Sequence, residues 1–248
     1  MTARERLKDV LRELPYPVKR QARRISNWRR GRRIIAPVRW GTMRRTRPFS
    51  SRWGSDRGTA VDRVYINRFF ELHSHDIHGD VLEVQGPIFS GVYGTAISNT
   101  EILDIEPRNM LATIVADLNE LDVLPRDKFD CAVVPQTLQY LSQPIIGLKN
   151  LYESLKPGGV LLVTAPFIQK IDHEAADADR TRFSPLAFQE LLEGACLGAD
   201  IEVKSYGNVL TSIAFLMGIS SEEMRPQDFD VYDPDYPMLV AARVQRPT

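Results

Sequence analysis

Several polar residues stand at the ends of apolar runs: Glu83 in DVLEV, Asp104 and Glu106 in EILDIE, Asp117 closing ATIVAD, and Gln136 after FDCAVVP. If those runs are strands of an open α/β sheet, their carboxyl ends are where a ligand binds. A carboxylate at such a position can accept both hydroxyls of a ribose, and Asp117-Leu118 can meet the exocyclic amine of an adenine. Glu83 leads into QGPIFSGVYG, a glycine-containing turn that begins Gln85-Gly86. The fourth turn adds Gln136, Thr137, Gln139 and Tyr140. Together these residues outline a pocket for an adenosyl ligand.

A second titratable group lies in IQKIDHEAADADRTRF, residues 168–183. His173 is the expected proton acceptor there, because an unperturbed imidazole titrates near neutrality and it is the one histidine outside the cluster at 73, 75 and 78. A solvated polar loop explains the same residues equally well. Asp172, Asp177 and Asp179 lack a ligand spacing, so no metal site is expected.

The elements that must carry these groups follow from periodicity. From Asp62, apolar residues recur at three and four (Val64, Tyr65, Phe69, Phe70, Leu72), which predicts a helix ending near Gly79. Strands are predicted over 80–86, 101–106, 112–117, 129–136, 159–167, 200–205 and 238–245, and helices over 144–155, 185–196 and 208–218. LKPGG, with Gly158 or Gly159 left-handed, is read as the cap of the helix that starts at Pro144. Strands alternating with helices predict a doubly wound, mostly parallel α/β sheet. Only Pro107–Leu111 separate the second and third strands, whereas a parallel crossover normally takes a dozen residues or more. The sheet is therefore expected to be reduced around strand 3.

Composition sets the outer limits. The chain has 248 residues, 43% of them hydrophobic, enough for one domain with a real core. Its net charge of zero is a cancellation: residues 1–60 hold 18 Lys and Arg against 4 Asp and Glu, and residues 61–248 hold 14 against 28. This predicts a basic, helical N-terminal arm over 1–60, containing Trp28, Trp40 and Trp53, and an acidic domain over 61–248. Such an arm suits an anionic membrane surface, an acidic partner or self-association through opposite charges, or simply folds back on its own domain. No nucleic-acid-binding motif accompanies it. Two cysteines in apolar contexts, Cys131 and Cys196, fit a reducing cytosol. The sequence shows no run near the ~18 apolar residues of a membrane span and no secretory signal. The expected location is cytoplasmic, with peripheral membrane contact through the arm.

Taken in order, LEV, ILDIE, ADLNELDVLPRDKFDCAVVPQTLQYL and LKPGGVLLVTAPF resemble the class I S-adenosylmethionine-dependent methyltransferases, a Rossmann-like superfamily, over residues 80–167. The longer strings at 39–70 and 203–219 are similar to bacterial methyltransferases that accompany glycosyltransferases in polysaccharide biosynthesis. The resemblance implies S-adenosyl-L-methionine as cofactor, bound by Glu83, Gln85, Gly86, Glu106, Asp117, Leu118 and Gln136, with Glu106 rather than Asp104 as the acid after strand two. It implies O-methylation of a sugar or glycan acceptor, with His173 as base. The alternatives are a small-metabolite or lipid acceptor, or a non-catalytic scaffold. The chain departs from the superfamily where its glycine loop should be, since the three aligned glycine positions are Gln85, Pro87 and Phe89.

Overall fold

The alternating strand and helix pattern is realised in a computed structural model that describes residues 41–248. The chain divides into two compact units, Met1–Thr46 and Arg47–Thr248. In the first, the described part holds a short 3-10 turn, Gly41–Met43. The helix expected over residues 3–14, the arginine pairs, Trp28 and Trp40 lie outside the described residues.

The second unit is built on seven strands: β1 (Gly79–Val84), β2 (Ile97–Asp104), β3 (Ile114–Val115), β4 (Phe129–Pro135), β5 (Leu155–Pro166), β6 (Asp200–Tyr206) and β7 (Leu239–Gln245). Their spatial order is β3-β2-β1-β4-β5-β7-β6. All pairings are parallel except those of β7, which runs antiparallel to β5 and β6. Five helices, α1 (Val61–Leu72), α2 (Ile88–Tyr93), α3 (Pro144–Ser154), α4 (Pro185–Ala195) and α5 (Val209–Met217), cover the faces.

Period-two alternation sends successive strand residues to opposite cores. Ala132, Val134, Leu161 and Val163 pack with Leu148 and Leu151 of α3 and Phe188 and Leu192 of α4. Cys131, Val133 and Leu162 pack instead with Phe69 and Phe70 of α1 and Phe215 of α5. Both faces are covered, which explains why β4 and β5 read as unbroken apolar runs.

The sheet is reduced at β3, as its short link predicted. Residues 105–113 form no helix, and β3 pairs with β2 over two residues only. Thr113 ties the link down: its backbone N–H donates to the Ile102 carbonyl (2.9 Å) and its Oγ1 accepts the Ile102 N–H (2.9 Å).

Two local expectations change. Gly158 is left-handed, φ +80, but α3 already ends at Ser154, and the Gly158 N–H donates to the Arg246 and Pro247 carbonyls rather than closing a helix. Residues 47–60, assigned to the arm, pack as a strap on the compact unit, which begins at Arg47. Arg57 pairs with Glu223, Glu222 accepts from the Thr59 N–H and hydroxyl, and Ala60 bridges Ser220. Gly54 is left-handed, and a Cβ there would lie 2.9 Å from the Ile219 carbonyl oxygen, so only glycine lets the strap lie this close.

Candidate active site

The strand order reverses between β1 and β4, and the crevice above such a switch point is the natural ligand site of an open sheet. Two cavities open there, of about 660 and 440 Å³. They share Val84, Gln85, Gln136, Tyr140 and Asp172, so these residues form the wall between them.

The smaller cavity lies over β1, β2 and β3. Asp104 ends β2 and lines it, with Ala116, Asp117, Leu118 and Asn119 beyond β3 and Leu141 beyond β4. Asn109 Nδ2 holds Asp104 Oδ2 (2.7 Å) and the Glu106 N–H holds Oδ1 (2.9 Å). Each oxygen keeps a lone pair for a ligand hydroxyl. Asp117 takes both its bonds from Asn119 on Oδ1 (2.9 and 2.7 Å), which leaves Oδ2 as an acceptor.

Glu106, the expected ribose acid, is absent from both linings. The strand ends two residues earlier, and the Glu106 carboxylate turns back to accept the Arg108 N–H (3.0 Å). Asp104, not Glu106, lines the smaller cavity. Gly86 is also outside the linings, and a Cβ on it would meet only Leu111, at 3.7 Å.

Glu83 has a different part from the one its position implied. It is fully buried, and its two oxygens accept the Phe89 and Ser90 N–H groups (2.8 and 2.9 Å) at the start of α2. Burial raises its carboxyl above the usual range, and these bonds act against that rise. Glu83 thereby shapes the turn that in the resembling family is glycine-rich. Helix α2 was not foreseen, because Ile88 and Val92 are exposed and give its six residues no apolar face to read.

The larger cavity is lined by the strap, the first turns of α1 and the segment after β5. Five carboxamides reach it: Asn67, Gln85, Gln136, Gln139 and Gln169. Gln139 is buried, its Nε2 donates to the Gln136 carbonyl (2.7 Å), and its Oε1 has no donor. A buried amide oxygen left without a donor is costly, and a ligand hydroxyl would supply one.

At the wall between the cavities the Tyr140 hydroxyl donates to Asp172 Oδ2 (2.9 Å), and the Glu174 N–H donates to Oδ1 (3.1 Å). Burial first, then the neighbouring Asp172 charge, pushes the Tyr140 phenol up to about 12. It stays a donor at neutral pH and fixes the Asp172 carboxylate in place. His173, the expected base, is exposed and lines neither cavity. Its neighbour Asp172 holds the place between them. No group of three or more metal-ligating side chains exists among the described residues.

The smaller cavity thus has two carboxylates with free lone pairs and an apolar floor, and Asp172, held by Tyr140, stands between it and the second cavity. Residues 79–163, from β1 into β5, match the family described as a methyltransferase domain. Over those residues the chain carries a methyltransferase domain, which supports an S-adenosylmethionine-dependent enzyme.

Its fold is shared with solved structures at low identity. An S-adenosylmethionine-dependent methyltransferase from Mesorhizobium loti is 17% identical over 75% of this chain and 98% of that one, with a TM-score of 0.51. The N-methyltransferase NodS from Bradyrhizobium japonicum, in complex with S-adenosyl-L-homocysteine, is 15% identical over 77% and 90%, with a TM-score of 0.50. A methyltransferase from Archaeoglobus fulgidus is 15% identical over 74% and 94%, also at 0.50. Likeness at this level establishes the fold. No curated protein matches the chain.

Proposed function

We propose that the enzyme methylates a hydroxyl of a sugar or glycan intermediate bound in the larger cavity. The observation that carries this reading is the lining of five carboxamides, one of them with an oxygen that lacks a donor. Planar amides that both donate and accept suit a ligand made of adjacent hydroxyls, whereas a lipid or aromatic acceptor calls for an apolar wall.

In the smaller cavity Asp104 takes the ribose hydroxyls, Asp117 the adenine amine, and Leu118 lies against the base. Gln85 and Gln136 stand beside the methionine end. S-adenosylmethionine supplies a methyl group already activated on a sulfonium sulfur. The protein's task is to align the acceptor oxygen and take its proton. Asp172 is the group placed for that: it lines both cavities, and Tyr140 fixes its carboxylate while leaving lone pairs for the acceptor hydroxyl. The residues N-terminal to the strap, with their arginines and tryptophans, serve to hold the enzyme near an anionic membrane or partner where glycan intermediates are assembled.

The test is transfer from methyl-labelled S-adenosylmethionine to a panel of free sugars, nucleotide sugars, oligosaccharides, catechols and lipids, read by mass spectrometry. Methyl-ether formation on a sugar hydroxyl supports the reading. Label confined to the catechol or lipid acceptors overturns it.

A further inference from the structure

The larger cavity has two chemically different ends. One is the wall shared with the cofactor cavity, where Gln85, Gln136, Tyr140 and Asp172 meet. The other is made by the strap and the outer side of α1, and there Arg52 and Arg63 line the cavity. Several arginines elsewhere in the unit are tied to acids, among them Arg57 to Glu223, Arg182 to Asp179, Arg243 to Asp76 and Arg246 to Asp127, whereas Arg180, in the lining of the smaller cavity, is bridged to none of the described ones. Among the described residues, neither the Arg52 nor the Arg63 guanidinium is bridged to a carboxylate.

Two acids stand near this end. Asp56 accepts the Ser50 hydroxyl, and that bond, with the charges of Arg52 and Arg57, holds its carboxyl down. Asp62, which also lines the cavity, takes the Arg63 N–H (2.9 Å); burial raises its carboxyl and the Arg63 charge acts against that rise. Asp172 belongs to the opposite end and is held by Tyr140. A third cation stands close by, since Lys170 Nζ sits 3.4 Å from the centre of the Trp53 ring that also lines the cavity.

We infer that the acceptor is an anionic sugar, carrying a phosphate or carboxylate that Arg52 and Arg63 grip at the strap end while the hydroxyl to be methylated reaches Asp172. This rests on reading the larger cavity as the acceptor site. Guanidinium groups present several donors in a fork that matches both phosphate and carboxylate. A substrate held by a charge at one end and presenting a hydroxyl at the other is fixed in direction as well as position, which an in-line transfer requires.

The experiment follows Trp53 fluorescence in the full-length protein carrying Trp28→Phe and Trp40→Phe, with and without S-adenosylhomocysteine, during titration with glucose 1-phosphate, glucuronate, glucose and inorganic phosphate. Wild type is expected to bind at least one charged sugar about tenfold more tightly than glucose, the worth of one charge-assisted hydrogen bond. In Arg52→Gln/Arg63→Gln that preference is lost, while S-adenosylhomocysteine binding is retained as evidence of an intact fold. The two sugars separate phosphate from carboxylate recognition. Equal affinity for charged and neutral sugars, a preference that survives in the double variant, or no response to any of the four anionic or neutral probes overturns the inference. Inorganic phosphate binding that the double variant abolishes, with no gain from an attached sugar, supports the anion site and instead removes the sugar reading on which it was built.

Discussion

Gln85 and Gln136 are the first residues beyond β1 and β4, two neighbouring parallel strands, and both hold left-handed backbone with φ of +70 and +46. Each passes its N–H outward to the next strand, Gln85 to the Leu103 carbonyl (2.9 Å) and Gln136 to the Thr164 carbonyl (3.0 Å). Each also lines both cavities. A non-glycine residue in this conformation costs about 1–2 kcal/mol, and such strain persists where side chains are needed in place. The superfamily's loop puts glycine at the Gln85 position. Here a side chain is kept despite the strain, at the wall between the two cavities.

That strain gives the first prediction. Gln85→Gly is expected to be more stable than Gln85→Ala by about 1 kcal/mol, because Ala keeps the left-handed penalty and glycine does not. Both variants lose the amide and are expected to turn over more slowly than wild type. Thermal unfolding of the pair decides it, and an Ala variant as stable as the Gly variant would show that position 85 is not strained.

Cofactor affinity separates the two acids after β2. Asp104→Ala is expected to weaken S-adenosylhomocysteine binding about tenfold or more, through lost hydrogen bonds to the ribose hydroxyls. Glu106→Ala is expected to leave it within about twofold of wild type, since its carboxylate serves the Arg108 N–H. Calorimetric titration of both variants reads the difference, and the reverse order would restore Glu106 as the ribose ligand.

The same contrast applies to the base. Asp172→Asn keeps the Tyr140 hydrogen bond but cannot take a proton, so kcat is expected to fall by about 10²–10⁴ with cofactor affinity unchanged. His173→Ala should retain full turnover. Tyr140→Phe, which loosens Asp172 without removing it, should fall between them.

These pairs also mark how far the sequence could be read. Strand positions such as Val133 and Leu162 were legible because a strand buried on both faces must be apolar throughout, whereas the order β1-β4-β5 is set by packing and shows only in the structure. The short Pro107–Leu111 link correctly announced a reduced edge at β3. Glu106 and His173 lie outside both cavity linings for one reason: each is a residue or two from the position that lines them, and spacing along a turn does not determine which way its side chains point. Asp104 and Asp172 are fixed by hydrogen bonds from Asn109 and Tyr140, contacts made across 5 and 32 positions in the chain. Glu83 was found, but its service to the start of α2 was hidden by a helix too short and too exposed to show a period. The strap was assigned to the arm because its charge resembles the arm's, while its attachment depends on Glu222 and Glu223, far away in sequence.

The strap supplies a last, pH-dependent prediction. Hydrogen bonds from the Thr59 side chain and backbone hold Glu222 down at about 2, and the Arg57 hydrogen bond, with the Ser220 backbone, holds Glu223 down at about 2. Carboxylates whose folded pKa lies below the unfolded value stabilise the fold above that unfolded value, near 4.3, and lose the contribution as pH falls toward the folded one. The strap is therefore expected to be fully anchored at neutral pH and to loosen progressively between about pH 4 and 2. Because Arg52, Trp53 and Thr59 line the larger cavity and not the smaller, loosening should reach acceptor binding first. Glu222→Gln/Glu223→Gln should reproduce this at neutral pH, raising KM for the acceptor while cofactor affinity stays at the wild-type value. The Trp53 emission of the double variant at pH 7 is expected to match that of wild type in acid. If the double variant instead lost cofactor and acceptor binding together, the strap would be supporting the whole crevice and not the acceptor end alone.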